Sequence, residues 1–157
     1  MSQQGTRAFY QITETLKTQL LEDVNVNTVT FGNISDIDLS KQTMFPLSHI
    51  VVNTATFSPN IVNFNITILS MDIVNQSKDD VIDVFRGNNN EQDILNTQLA
   101  VQNRFISELR RGDLYTDKYQ IEGAISTEPF TDRFEHLVAG WAVTFDITTF
   151  NDISVCN

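Results

Sequence analysis

Cysteine is all but missing. The single residue, Cys156, leaves no partner for an intrachain disulfide, so the chain does not read as a cross-linked secreted scaffold. Cys156 also lies where chain ends usually fray, and acyl transfer needs a nucleophile held firmly against a base. Histidine is scarce: His49 and His136 are the only two, far apart, and no HxxxH or CxxC pair exists, so no metal site is expected. The six glycines are scattered without GxxxxGK[ST], GxGxxG or GxSxG, which removes the common phosphate cradles and the nucleophile elbow. Basic residues are outnumbered, 10 against 20 acidic, for a net charge of −10. Clamping nucleic acid is therefore disfavoured, because phosphate binding needs Lys and Arg to replace condensed counterions. The same charge suits a surface past which DNA slides without adhering, and equally a domain that acidity merely keeps soluble. No apolar run approaches the ~20 residues that cross a bilayer. The first five residues lack the basic and apolar regions of a signal peptide. Synthesis in a cytoplasm and no membrane partner are the expectations.

What the chain does have is β-pattern and two helical stripes. With 157 residues, 41% of them hydrophobic and 11 of them phenylalanine, it is expected to fold as one domain, 1–157. Leu137 to Phe150 alternates almost without error. Trp141, Val143, Phe145 and Ile147 fall on one face with Leu137 and Ala139, and Gly140, Ala142, Thr144, Asp146 and Thr148 on the other. So long a strand suggests a surface presented to a neighbouring subunit, with Trp141, Val143 and Phe145 as candidate contacts. His49–Phe57 and Ile61–Met71 form a hairpin about Ser58-Pro59-Asn60, with Val62, Phe64, Ile66 and Ile68 alternating against Asn63, Asn65 and Thr67. A short strand is expected at Thr28–Phe31, stopped by Gly32-Asn33, and another at Tyr119–Ile125, broken by Thr127-Glu128-Pro129-Phe130. Ile34–Leu39 reads as a loop or edge strand, and Lys41–Pro46 as a connection.

Phe9, Ile12, Leu16 and Leu20 mark a helix from Thr6, its candidate N-cap, to about Glu22. Leu95, Leu99, Ile106 and Leu109, flanked by Ile94 and Phe105, mark a second from Glu91 to Arg111. Asn90 is its candidate N-cap and Gly112 its stop. Between hairpin and second helix, Asn75–Asn90 is loop-like yet carries Val81, Ile82, Val84 and Phe85. That segment reads either as a turn folded onto its own domain or as an extended arm that places those four side chains in a neighbour. Asp79, Asp80 and Asp83 form a solvated charge run before they form a cation site, lacking a Gly-centred loop. Arg104, Arg110 and Arg111 are first a complement to the helix dipole and to nearby acids, and only then phosphate contacts. The economical architecture is α+β: an antiparallel sheet of four to five strands with two amphipathic helices packed on one face. Asn63, Asn65, Thr144 and Thr148 would lie on the opposite, polar face.

The order of elements resembles the tail terminator (tail-completion) and neck-ring proteins of tailed bacteriophages. The resemblance runs through the helix Phe9-Tyr10-Gln11-Ile12-Thr13-Glu14-Thr15-Leu16 and the Met44-Phe45-Pro46 step into His49-Ile50-Val51-Val52. It continues through the hairpin, Asp93-Ile94-Leu95-Asn96-Thr97-Gln98-Leu99 and the final Gly140-Trp141-Ala142-Val143-Thr144-Phe145, covering about residues 6 to 155. The Asn75–Asn90 insertion is longer than the simplest form of that pattern. The resemblance implies a structural virion protein assembled in the host cytoplasm, without catalytic residues or cofactors. It implies a homo-oligomeric ring joining portal or other neck and tail proteins around a channel that DNA crosses. Two other classes stay open: a small soluble adaptor or ligand-binding domain, and an enzyme whose site assembles only in space.

Overall fold

The three long strands and both helices follow from the two periodicities, period 2 in the β-branched runs and period 3.6 in the stripes. The computed structural model describes residues 4–34, 42–74, 90–111, 121, 124–131 and 138–150. Along the chain these are α1 (Gln4–Leu21), β1 (Thr28–Phe31), a 3-10 turn (Gln42–Met44), β2 (Leu47–Phe57), β3 (Ile61–Ile73), α2 (Glu91–Arg111), β4 (Thr127–Thr131) and β5 (Val138–Phe150). They form one α+β sheet in the order β1-β2-β3-β5-β4.

The sheet is mixed rather than purely antiparallel. β1 runs parallel to β2, Thr28 opposite Leu47 and Phe31 opposite Ile50. A hairpin cannot deliver a parallel neighbour; the chain between Phe31 and Leu47 is the longer crossover that parallel entry requires. The 58–60 turn is as the sequence indicates, closed by Ser58 N–H donating to the Ile61 carbonyl at 2.9 Å. β3 then pairs with β5 residue for residue, from Ile61 opposite Phe150 to Ile73 opposite Val138. The length of the final strand is thus matched inside its own sheet, and length alone does not call for a neighbour.

Two local expectations need correction. α1 begins at Gln4, so Thr6 lies within the helix rather than capping it. The penultimate strand is Thr127–Thr131, where the sequence suggests a break. Pro129 is tolerated there because β4 is an edge, and an edge strand has one side on which a missing N–H goes unnoticed. Of the Tyr119–Ile125 run, Ile121, Ala124 and Ile125 are described and are not strand; the rest lies outside the described residues, as does nearly all of Ile34–Leu39.

Both helices pack on one face of the sheet. Ile12, Leu16 and Leu20 from α1 and Phe105 and Leu109 from α2 meet Ile50, Val62, Phe64, Ile66, Ile68, Val143, Phe145 and Ile147. Burying each such aliphatic or aromatic side chain contributes about 1.5–3 kcal/mol, and this layer is the main source of stability. The stripe of α2 is rotated from the one the leucines suggest. Leu99 is 40% exposed, while Gln98 and Gln102 face the sheet at 1% and 3%. Asn90 stands at the N-cap of α2, its carbonyl accepting from Ile94 N–H and its amide donating to the Ile73 carbonyl.

The opposite face is not uniformly polar. At the end near β1 and β4, Leu47, Leu69, Met71, Phe130 and Val138 form a second core beneath Phe45, with Ile34 and Met44 against it. Only the hairpin-tip half of this face is polar.

Candidate assembly surface

The interior accounts first for the residues singled out on the final strand. Val143 and Phe145 are buried at 2% and 4% in the chain's own core, Phe105 meeting Phe145 at a ring separation of 6.3 Å. A side chain sealed beneath two helices has no surface to offer a neighbour, so these two leave the list of interface candidates. Trp141 is half-buried, and its indole Nε1–H donates to the Leu95 carbonyl at 2.7 Å, fastening α2 to β5. Val81, Ile82, Val84 and Phe85 lie outside the described residues, as do His136 and Cys156.

Between α2 and the sheet runs a buried polar seam that apolar periodicity cannot reveal. The Gln102 amide Nε2 lies 2.9 Å from the Trp141 carbonyl, 3.2 Å from the Ile68 carbonyl and 3.2 Å from Ser70 Oγ. Its Oε1 accepts from the Thr127 hydroxyl at 2.6 Å. One side chain thereby ties α2 to β3, β4 and β5. Gln98 one turn earlier is different: among the described residues its amide nitrogen and oxygen have no hydrogen-bond partner, nor does Ser48 Oγ. Such groups cost about 1–3 kcal/mol each when buried and unpaired, so they weaken the layer that Gln102 strengthens.

His49 is no surface histidine. It is fully buried, with Nδ1 2.7 Å from Thr30 Oγ1 and Nε2 2.7 Å from the Gly32 carbonyl. Because a carbonyl only accepts, Nε2 carries the proton, and the ring pins β1 against β2. Burial pushes the imidazole below its ordinary value, and the bond to the Gly32 carbonyl opposes this only in part. The unfolded chain therefore takes up this proton at higher pH than the folded one. Stability from His49 is complete above the ordinary imidazole value near ~6.5 and falls as pH drops from there towards the depressed folded value. Urea unfolding at stepped pH should show that loss in the parent chain, and a His49→Gln chain, unable to titrate there, should lack it.

An ion pair links α2 to the turn that follows α1. Arg104 grips Asp23 with two contacts, Nε to Oδ2 at 2.8 Å and a terminal nitrogen to Oδ1 at 3.0 Å. The guanidinium holds the Asp23 carboxyl below its usual range, against the opposing effect of burial. The two line a groove between α1 and α2 together with Leu20, Val24, Val101 and Phe105, and that groove is open to solvent. Burial pushes the Asp72 carboxyl up, partly offset by the Ile73 N–H, so charge at this half-buried position opposes folding as pH rises. Among the described residues no group of three His, Cys, Asp or Glu side chains is placed to hold a metal ion. No described helix is long and apolar enough to cross a membrane.

What the fold does leave on offer is the hairpin-tip half of the sheet. β1 reaches only Ile50 of β2, and β4 reaches only Val143 of β5. Beyond those points Val51–Phe57 and Thr144–Phe150, stretches of equal length, have no outer strand partner among the described residues. Among the described residues the sheet here is three strands wide, β2-β3-β5, and neither lateral edge carries a further strand. Its solvent-facing surface carries a hydrogen-bonded ladder. Asn53 sits where the β2–β3 register shifts, and its amide donates to Asn65 Oδ1 at 2.9 Å and Thr67 Oγ1 at 2.8 Å. Asn65 donates onward to Asp146 Oδ1 at 3.0 Å, Thr67 meets Thr144 at 2.9 Å, and Thr148 donates to Asn63 at 3.3 Å. All five strands are devoid of lysine and arginine, so this face carries Asp146 and no counter-cation from the sheet.

The open edges escaped the reading of the sequence, although a signal was there: Thr28–Phe31 is far shorter than the hairpin strand it joins. Asn53–Phe57 is exposed throughout and contains neither charge nor proline. No protein-family model matches the chain, and no curated protein matches it significantly.

Proposed function

We propose that this chain is a structural virion protein of a tailed bacteriophage, without catalytic activity. It closes a homo-oligomeric ring in the neck or tail that joins portal or head to tail and encloses the DNA channel. The observation that carries the reading is the three-stranded end of the sheet. Two edges with no further strand among the described residues flank a polar face whose strands carry no lysine or arginine and whose side chains are linked by hydrogen bonds. Open edges supply the means of association, since unpaired backbone N–H and C=O groups are satisfied by another strand. A face with one carboxylate and no cation lets phosphates pass without adhering. The chain's net charge of −10 acts in the same direction. The grooves along α2 are open, which gives a small-molecule site little to work with.

Negative-stain images of the purified protein are expected to show closed rings with a central opening, and mass spectrometry of intact particles should find the chain among the virion proteins. A monomer at every concentration that is also missing from particles overturns the reading.

A further inference from the structure

We propose that neighbouring copies join edge to edge. The free half of β2 (Val51–Phe57) in one copy pairs in parallel with the free half of β5 (Thr144–Phe150) in the next, and the Asn/Thr/Asp ladder faces the bore. This rests on the ring reading and names the two surfaces that close it.

The occupant follows from the geometry of the edges. An open strand edge presents a regular row of donors and acceptors that only another strand satisfies along its whole length. Natural edges are usually blunted by lysine, proline, a bulge or a covering segment. Asn53–Phe57 has no lysine or proline and is exposed at every position, and its one irregularity is the register shift at Asn53, which leaves Thr54–Phe57 in regular pairing with β3. Phe31, at 50% exposure, and Phe57, at 76%, flank this edge at its two ends.

A second copy carries a matching edge. Val51–Phe57 and Thr144–Phe150 are equal in length and lie at the same end of the sheet, where Phe57 pairs with Val62 and Ile61 with Phe150. They sit on opposite lateral sides of β3. Both run antiparallel to β3 and therefore in the same direction. Rotating one copy about an axis along the strands brings β5 of the next beside β2 of the first, parallel, and the operation repeats until the ring closes. A two-fold β2-to-β2 contact by itself stops at a dimer and leaves β5 open in every copy, and covering β5 as well takes a second, different two-fold interface. The heterologous contact covers both edges with a single interface.

Disulfide scanning tests this in the full-length Cys156→Ser chain. Thr54→Cys or Thr56→Cys on β2 is combined in turn with Thr144→Cys, Asp146→Cys or Thr148→Cys on β5. All five positions share the ladder face. Within one copy β2 and β5 are separated by β3, roughly 9–10 Å across two strand spacings, too far for a bridge whose Cβ atoms stand ~3.8 Å apart. Any disulfide is therefore between copies. Under mild oxidation at least one pairing should give a ladder of oligomers on non-reducing gels, while every single-cysteine chain stays monomeric there. Thr54→Lys, at an exposed position, should abolish oligomers while leaving the melting curve unchanged.

Efficient dimers from Thr54→Cys or Thr56→Cys alone overturn the proposal in favour of a two-fold contact. Rings in the micrographs with no cross-link from any pairing, or with Thr54→Lys still assembled, overturn the edge pairing while the ring reading survives. Neither rings nor cross-links removes both.

Discussion

Gly140→Ala is expected to destabilise this chain more than any other single methyl added to its sheet. Gly140 lies on β5 between Met71 of β3 and Phe130 of β4. A Cβ added there would overlap the Ser70 backbone carbonyl oxygen and stand 2.8 Å from Met71 Cα. The obstacle is backbone, not the flexible end of a side chain. Ser70 is hydrogen-bonded within β3 between two long partners, so moving it aside breaks pairing on both sides. Overpacking a core typically costs 1–3 kcal/mol, and with no side chain free to yield, about 3 kcal/mol or more is expected here. Against a total stability on the order of 5–15 kcal/mol, that is a large share. The measurement is the urea midpoint, with soluble yield as a cruder sign. A midpoint equal to the parent's would mean that the strands do not approach this closely.

The second large effect belongs to Gln102. Gln102→Leu removes the amide that serves the Trp141 and Ile68 carbonyls and the Ser70 hydroxyl, and it strands the Thr127 hydroxyl. At 3% exposure water cannot replace what is lost. A destabilisation of about 2–3 kcal/mol is expected, the upper part of the range for an unpaired buried group. Gln102→Glu discriminates further. Its carboxylate would face two carbonyl oxygens with no donor to offer them, so burial and repulsion would raise its pKa above the ordinary carboxylate value. A raised acid favours the folded state at low pH and opposes it as pH rises. Gln102→Glu should therefore be less stable than Gln102→Leu at neutral pH and recover on acidification. Equal behaviour of the two at all pH values would show that position 102 is not pressed against the sheet carbonyls.

How much of this was legible beforehand depended on whether a feature is local. The hairpin was legible because Val62, Phe64, Ile66 and Ile68 alternate and Ser58-Pro59-Asn60 interrupts the pattern. α2 was bounded by the acids of its first turn and by Asn90. The rotation of α2 was not legible, because a glutamine that satisfies sheet carbonyls looks like any surface glutamine until the sheet is in place. The buried His49 was hidden likewise, since its partners Thr30 and Gly32 come from a strand whose pairing is parallel and non-local. The interface candidates Val143 and Phe145 were misjudged by treating a greasy strand face as surplus. The structure supplies the two helices that cover it.

The sequence by itself determined the α+β class, the helix-facing side of β3 and β5 and the absence of lysine and arginine from the sheet. These follow from periodicity and residue identity, which need no partner to be defined. Tertiary structure alone decided that β1 enters parallel, that glutamines line the seam under α2 and that the two outer strands stop halfway. That last feature leaves Val51–Phe57 and Thr144–Phe150 without an outer strand among the described residues. Whether an edge is paired depends on where a remote segment ends, and no local pattern encodes that.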